Sequence, residues 1–100
     1  MAKLTIVYWR DIPAQVIAKE KRNAAKRVLS ERFEKAIDRA AMRSGARDTD
    51  AYLAEWRRGD PAPCGADLEA EADAVAARLE AEFDDDRLAA LVASGGRADG

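Results

Sequence analysis

The first thirty residues constrain the fold more than any other part of the chain. Leu4 to Trp9 is a β-branched and aromatic run, Asp11-Ile12-Pro13 reads as a turn, and Ala14 to Ala18 is a second apolar run. Everything after Ser30 is instead rich in Ala, Glu and Arg at helical spacing. Strands followed by helices predict an α+β domain, with a small N-terminal antiparallel sheet of two or three strands packed against two to four helices.

Within the opening, Leu4, Ile6 and Tyr8 share one face of a strand, and Thr5, Val7 and Trp9 share the other. Both sets are largely apolar, which predicts a strand that is central or buried on both sides. Pro13 lacks a ladder donor and belongs at a turn or an edge. Val16 and Ala18 alternate with Gln15, Ile17 and Lys19, a pattern expected of an edge strand whose charges discourage further pairing. Lys21-Arg22-Asn23 reads as a turn, with Asn23 suited to positive φ. Ala24 to Leu29 fits either a third short strand or the first turns of a long helix. Ser30 followed by Glu31 looks like an N-cap with an acid in the first turn, which favours the strand.

Helical spacing is clear at Phe33, Ile37, Ala40, Ala41 and Ser44, and Gly45 is a stop. Asp48 or Thr49 caps a short second helix carrying Tyr52, Leu53 and Trp56 and ending near Arg57-Arg58-Gly59. Residues 60–67 form a Pro/Gly connector, and Asp67 caps a third helix with the stripe Leu68, Ala72, Val75, Leu79 and Phe83. A last helical piece holds Leu88, Leu91 and Val92. Residues 1–93 are expected to form one domain and 94–100 a disordered tail. Phe33, Ile37, Trp56, Val75, Leu79 and Phe83 should supply much of the core. Alanine accounts for 23 of the 48 apolar residues, so few large side chains do the burying and a partner, including a second copy in a homodimer, would add to it.

The chain has no His and one Cys. This removes Ser-His-Asp and Cys-His nucleophile systems, His-ligated zinc and any internal disulfide. Cys64 has no neighbouring cation in sequence to activate it. Asp84-Asp85-Asp86 lacks the alternating oxygens, Gly and distal Glu of a calcium loop. No stretch approaches the ~18 apolar residues of a membrane span, so a cytoplasmic protein without membrane contact, metal or cofactor is expected. Arg58-Gly59-Asp60 spells an adhesion tripeptide, which in such a protein is coincidence.

Charge is unevenly divided. Residues 1–50 carry 12 Lys+Arg against 7 Asp+Glu, a balance of +5, and residues 51–100 carry 5 against 12, a balance of −7. In a compact domain the two halves attract each other. Arg39, Arg43, Arg47, Arg57 and Arg58 bracket the second helix and are expected to pair with the acidic third helix rather than to form an anion pocket. Tyr8, Trp9, Arg10 and Asp11 place aromatic, cationic and acidic groups side by side. They read either as a contact patch or as a core strand flanked by a surface ion pair. The basic run Lys21, Arg22, Lys26 and Arg27, with Lys19, reads as a solvated hairpin tip or as a phosphate or nucleic-acid contact. A sequence pI near 5.2 and the lack of an RNA-binding signature disfavour nucleic acid. These eight residues, 8–11 with 21, 22, 26 and 27, are the candidate contact surface.

The strings TIVYWRDIPAQVI and SERFEKAIDRAAMRSGARDTDAYLAEW resemble the small bacterial "virulence factor" family, over residues 4–58. Related domains end the larger conserved virulence factor C proteins, after helical repeats. The resemblance brings no catalytic motif, so no catalytic residue is carried over. It implies an accessory role, and loosely a setting among folate- and corrinoid-linked methyl-transfer genes, where a chain without His could serve only as an adaptor or small subunit. The resulting expectation is an accessory or protein-interaction domain with an unidentified protein partner and no catalysis of its own. The alternatives are a nucleic-acid or phosphate-ligand binder using the basic half, and a small subunit of an enzyme complex in one-carbon metabolism.

Overall fold

A computed structural model describes residues 2–45 and 49–97. Strands β1 (Lys3–Trp9), β2 (Ile12–Glu20) and β3 (Asn23–Val28) precede helices α1 (Glu31–Ser44) and α2 (Thr49–Ala54). Two short strands follow, β4 (Trp56–Arg58) and β5 (Ala62–Pro63), then helices α3 (Leu68–Glu82) and α4 (Asp85–Ala93). The sheet is antiparallel in the order β3-β2-β1-β4, with β5 pairing β1 beyond β4. The α+β class and the N-terminal antiparallel sheet agree with the sequence; β4 and β5 raise the strand count above three.

Both hairpins turn on two residues. Trp9 pairs with Ile12 across Arg10-Asp11, and Glu20 pairs with Asn23 across Lys21-Arg22. In each loop the first residue carries the positive φ, 54° at Arg10 and 53° at Lys21. The first turn therefore lies one residue earlier than Asp11-Ile12-Pro13, and Asn23 is already a strand residue. Pro13 is buried opposite Tyr8, next to a bulge at Val7/Tyr8 where the register shifts. Residues 24–29 are strand up to Val28, and Leu29 still donates to the Ala14 carbonyl at 3.0 Å.

Two expectations are corrected. β2 is an interior strand between β1 and β3; its alternation marks a sheet with one wet face, which gives the same pattern as an edge. The second helix stops at Ala54, and Trp56–Arg58 leaves it to pair with Val7, Tyr8 and Trp9. Asp48 and Arg47 lie outside the described residues.

The caps explain the helix ends. Gly45 terminates α1 with φ 81°, Asp67 accepts from the Ala70 amide at the start of α3, and Asp84 accepts from the Arg87 amide at the start of α4. The acidic run 84–86 is thus a helix start. Ser30 precedes α1 in extended conformation, but its hydroxyl points elsewhere, to Glu80 Oε1 at 2.8 Å. α3 covers one face of β2 and β3, and α4 packs on α1. Trp9, Ile12, Val16, Phe33, Ile37, Ala40, Leu79 and Phe83 are in the buried core, while Trp56 and Val75 pack against it half-buried. Residues 94–97, assigned to the tail by sequence, fold back on the first hairpin: Gly95 and Gly96 are buried, and the Gly96 carbonyl accepts from the Asp11 amide at 2.8 Å. Residues 98–100 lie outside the described residues.

Candidate functional site

Strand period divides the expected contact residues between different places. Trp9 is 0% exposed; its indole N–H donates to the Tyr52 carbonyl at 2.9 Å, and its ring lies 5.8 Å from that of Tyr52. It is a core residue and offers no contact surface. Arg10 lies over the Trp9 ring, donates to the Gly95 carbonyl at 2.7 Å and pairs with Glu55 at 3.4 Å. Asp11 pairs with Arg57, whose guanidinium also lies over the Tyr8 ring and whose Nε donates to the Arg10 carbonyl. Residues 8–11 therefore clasp the first hairpin to β4 and to the C-terminal segment. Ion pairs run from the turn to residues 55 and 57.

Arg27 points to α3, where it pairs with Glu69 and Asp73, and both carboxylates hold its proton more firmly than usual. Arg32 reaches the Glu80 carboxylate at 3.1 Å and Asp85 at 3.4 Å. The two halves of the chain attract as expected, but through Arg27 and Arg32. Arg43 instead donates to the Ala93 carbonyl, and Arg57 serves Asp11. Burial alone would raise the Glu80 carboxyl, but hydrogen bonds from the Ser30 hydroxyl and amide, with the Arg32 charge, carry it below its ordinary value.

The other face of the sheet is different. Cross-strand pairing sets Arg58, Val7, Gln15 and Val28 in one row, Thr5, Ile17 and Lys26 in the next, and Lys3, Lys19 and Ala24 in a third. This is the face opposite α3. Lys3, Lys19, Lys26 and Arg58 on it are exposed, as are Lys21 and Arg22 at the adjoining hairpin tip, and none of the six makes an ion pair among the described residues. No acidic and no aromatic residue belongs to these rows. The structure thus brings Lys21, Arg22 and Lys26 of the expected surface together and joins Lys3, Lys19 and Arg58 to them. Lys3 and Arg58 were missed because they lie far from the basic run in sequence, though the odd-numbered phase of Lys3 with Thr5 and Val7 carried a signal.

At the Val28 end of this face α1 and α2 enclose a groove of about 320 Å³. Its lining includes Gln15, Val28, Glu34, Asp38, Tyr52 and Trp56. Tyr52 and Trp56 meet edge to face at 6.0 Å. Glu34 and Asp38 stand one turn apart on α1, exposed and without an ion pair among the described residues. Burial, and then the Asp38 and Glu34 charges, push the Tyr52 hydroxyl above its ordinary value. The acid pair at spacing i, i+4 was visible in sequence, but nothing there placed it beside two aromatics.

An enzyme built on this chain would need a cleft gathering Arg10, Asp11, Tyr52 and the Arg43/Arg47 pair; Arg47 lies outside the described residues, and the other four do not gather in one place. The first two sit at the hairpin clasp, Tyr52 in the groove, and Arg43 against the Ala93 carbonyl. Cys64 is half-buried, and burial with the Glu71 and Glu20 charges pushes its thiol up, away from the thiolate that reacts. No cluster of three or more metal-ligating side chains occurs among the described residues, and none of their helices is long and apolar enough to cross a membrane.

No curated protein and no solved structure matches the chain. The family model described as "Virulence factor" matches residues 7–92, from the end of β1 to the last turns of α4. With most of its length matched, the chain belongs to the virulence factor family.

Proposed function

We propose that the domain is a cytoplasmic, non-catalytic accessory module that binds another protein through the sheet face opposite α3. The observation that carries this reading is the set of cations without an ion pair among the described residues, Lys3, Lys19, Lys26 and Arg58, around Thr5, Ile17 and Val28. A half-apolar patch with a cationic rim suits the acidic surface of a protein partner, where charge steers the encounter and the apolar centre holds it. A small subunit of an enzyme complex, in one-carbon metabolism as the family resemblance implies, would use the same face.

The same cations favour a second reading, a nucleic-acid or phosphate ligand. Against it, proteins that hold single strands stack bases on aromatic side chains, and none belongs to the three rows that carry these cations; the next row, Trp9 and Trp56, is buried and half-buried. The test compares the tagged protein with a Lys19→Glu/Lys26→Glu/Arg58→Glu variant in native lysate. A nuclease-resistant protein partner held by the first and lost by the second supports the reading. Equal capture by both refutes the face. Capture that is nuclease-sensitive and falls steeply with salt establishes the second reading instead.

A further inference from the structure

We propose that the groove and the free edge of β3 together bind an extended segment of a partner protein. One Lys or Arg side chain of that segment enters between the carboxylates of Glu34 and Asp38 and the rings of Tyr52 and Trp56. The inference goes beyond the sheet-face reading and stands or falls separately from it.

The backbone supplies the first half of the argument. β3 is the terminal strand of the sheet. Leu29 donates to the Ala14 carbonyl, so residues 23, 25, 27 and 29 direct their backbone groups to β2. Ala24, Lys26 and Val28 direct theirs outward. The Lys26 carbonyl accepts from Arg27 Nη1 at 2.9 Å, whereas the amides of Ala24, Lys26 and Val28 have no partner among the described residues. An unpaired strand edge is the template on which extended segments add. Of the two charges on β3, Arg27 is taken up by Glu69 and Asp73 and Lys26 is left, and Val28 at the end of the strand is 74% exposed.

Side chains supply the second half. Val28 belongs both to the edge and to the groove lining, so a segment laid along β3 runs directly into the groove. Two carboxylates on one wall, without an ion pair among the described residues, call for a cation. Two aromatic rings set edge to face on the other wall favour a cation on an apolar stem, which describes Lys and Arg. A volume of about 320 Å³ accommodates one such side chain. At the opposite end of the edge, Lys26 and the Lys21-Arg22 tip favour an acidic residue, which orients the segment.

The experiment titrates ¹⁵N-labelled protein with two probes, N-acetyl-arginine methylamide and a short Thr/Val peptide bearing one Arg. Both should shift the Val28 amide and the Trp56 indole. The peptide should bind at least about tenfold more tightly, because the edge adds main-chain bonds, and should slow hydrogen exchange at Ala24, Lys26 and Val28. Glu34→Gln/Asp38→Asn, at two exposed positions, should weaken both probes about tenfold while leaving the spectrum folded. Lys26→Pro should weaken the peptide alone. If that variant misfolds, hydrogen exchange in the native chain decides the point. Absence of saturable binding, or binding unchanged by the acid substitutions, overturns the proposal. Equal affinity for both probes overturns the strand and leaves a small-cation site.

Discussion

Replacing Trp9 by Phe tests whether this residue is the hub that joins the hairpin to the rest of the domain. The indole is 0% exposed, meets the Tyr52 ring tilted by 31° at 5.8 Å and donates to the Tyr52 carbonyl. That carbonyl also accepts from the Glu55 amide at 3.3 Å, so the substitution removes one hydrogen bond without orphaning the acceptor. The loss is about 1 kcal/mol, rather than the larger penalty of an unsatisfied group. Shrinking an indole to a phenyl ring leaves roughly 40 Å³, worth about 1 kcal/mol at the cavity coefficient, and the lost transfer of the missing atoms adds up to about 1 kcal/mol more. The Arg10 guanidinium, 5.0 Å from the ring centroid, loses ~0.5 kcal/mol of cation–π attraction.

The total is about 3 kcal/mol, a large share of the ~5–15 kcal/mol that holds an ordinary domain together. In a chain of this size it lowers Tm by roughly 12–24 °C. Thermal and urea unfolding followed by far-ultraviolet circular dichroism measure it without relying on the tryptophan removed. Trp56→Phe is the internal comparison. Its ring is half-buried in the groove, and the same change there should cost under about 1 kcal/mol. A loss below ~1 kcal/mol for Trp9→Phe, or equal losses at both positions, would refute the hub.

Three further outcomes follow from the same geometry. Glu80 is held below its ordinary value in the folded chain, so it contributes stability above the unfolded carboxylate value of about 4.3 and loses it as pH falls through the lower folded value. Glu80→Gln should therefore be less stable at pH 7 and show a shallower fall between about pH 5 and 3 in urea midpoints; parallel pH profiles would contradict the Ser30–Glu80–Arg32 link. Gly96 has φ 95°, and a Cβ there would lie 3.0 Å from Trp9 Cζ3 and 3.3 Å from Arg10 Cδ. Gly96→Ala should cost about 2–4 kcal/mol by thermal unfolding, whereas a neutral result would mean that residues 94–97 do not seal the hairpin. Trp56→Ala, which would cost ~3–5 kcal/mol for a fully buried ring, should cost about 1–3 kcal/mol by urea unfolding from its half-buried position.

What the sequence discloses and what it hides divide by range. Elements set by local chemistry were legible: the β-rich hairpin, the Gly45 stop, the Asp67 cap and the stripe from Leu68 to Phe83. β4 and β5 were not, because three and two residues carry no period, and they become strands only by pairing with β1. The place of β2 was misread for a related reason. An alternating strand tells how many of its faces are wet, and not how many neighbours it has. Trp9 next to Arg10 has the composition of a contact patch, and what buries it comes from 43 residues away at Tyr52 and from Gly96 at the far end of the chain. The groove was hidden in the same way, since Glu34 and Asp38 on α1 meet Tyr52 and Trp56 only through the tertiary fold.

The division of charge along the chain acquires its meaning from the two-residue period of β3. Arg27 and Lys26 are adjacent and similar in character, yet the pleat sends Arg27 to Glu69 and Asp73 on α3 and Lys26 to the open face. One face of the basic hairpin is neutralised inside the fold, and the other is left with cations that nothing in the described chain answers. These two sets respond differently to salt. The Arg27 pairs are exposed, with Glu69 and Asp73 63–70% accessible, so each contributes little and screening removes little. On the proposed reading the open-face cations act on the encounter with a partner, where attraction over a Debye length of about 8–10 Å sets the association rate. Raising salt from about 0.05 to 0.5 M should shift the unfolding midpoint only slightly while slowing partner association by roughly tenfold or more, as read by surface plasmon resonance. If both change together, the open face is contributing to the fold, and the segregation of charge is structural. If only association changes, the same strand that closes the domain on α3 with one set of side chains has reserved the other set for a partner.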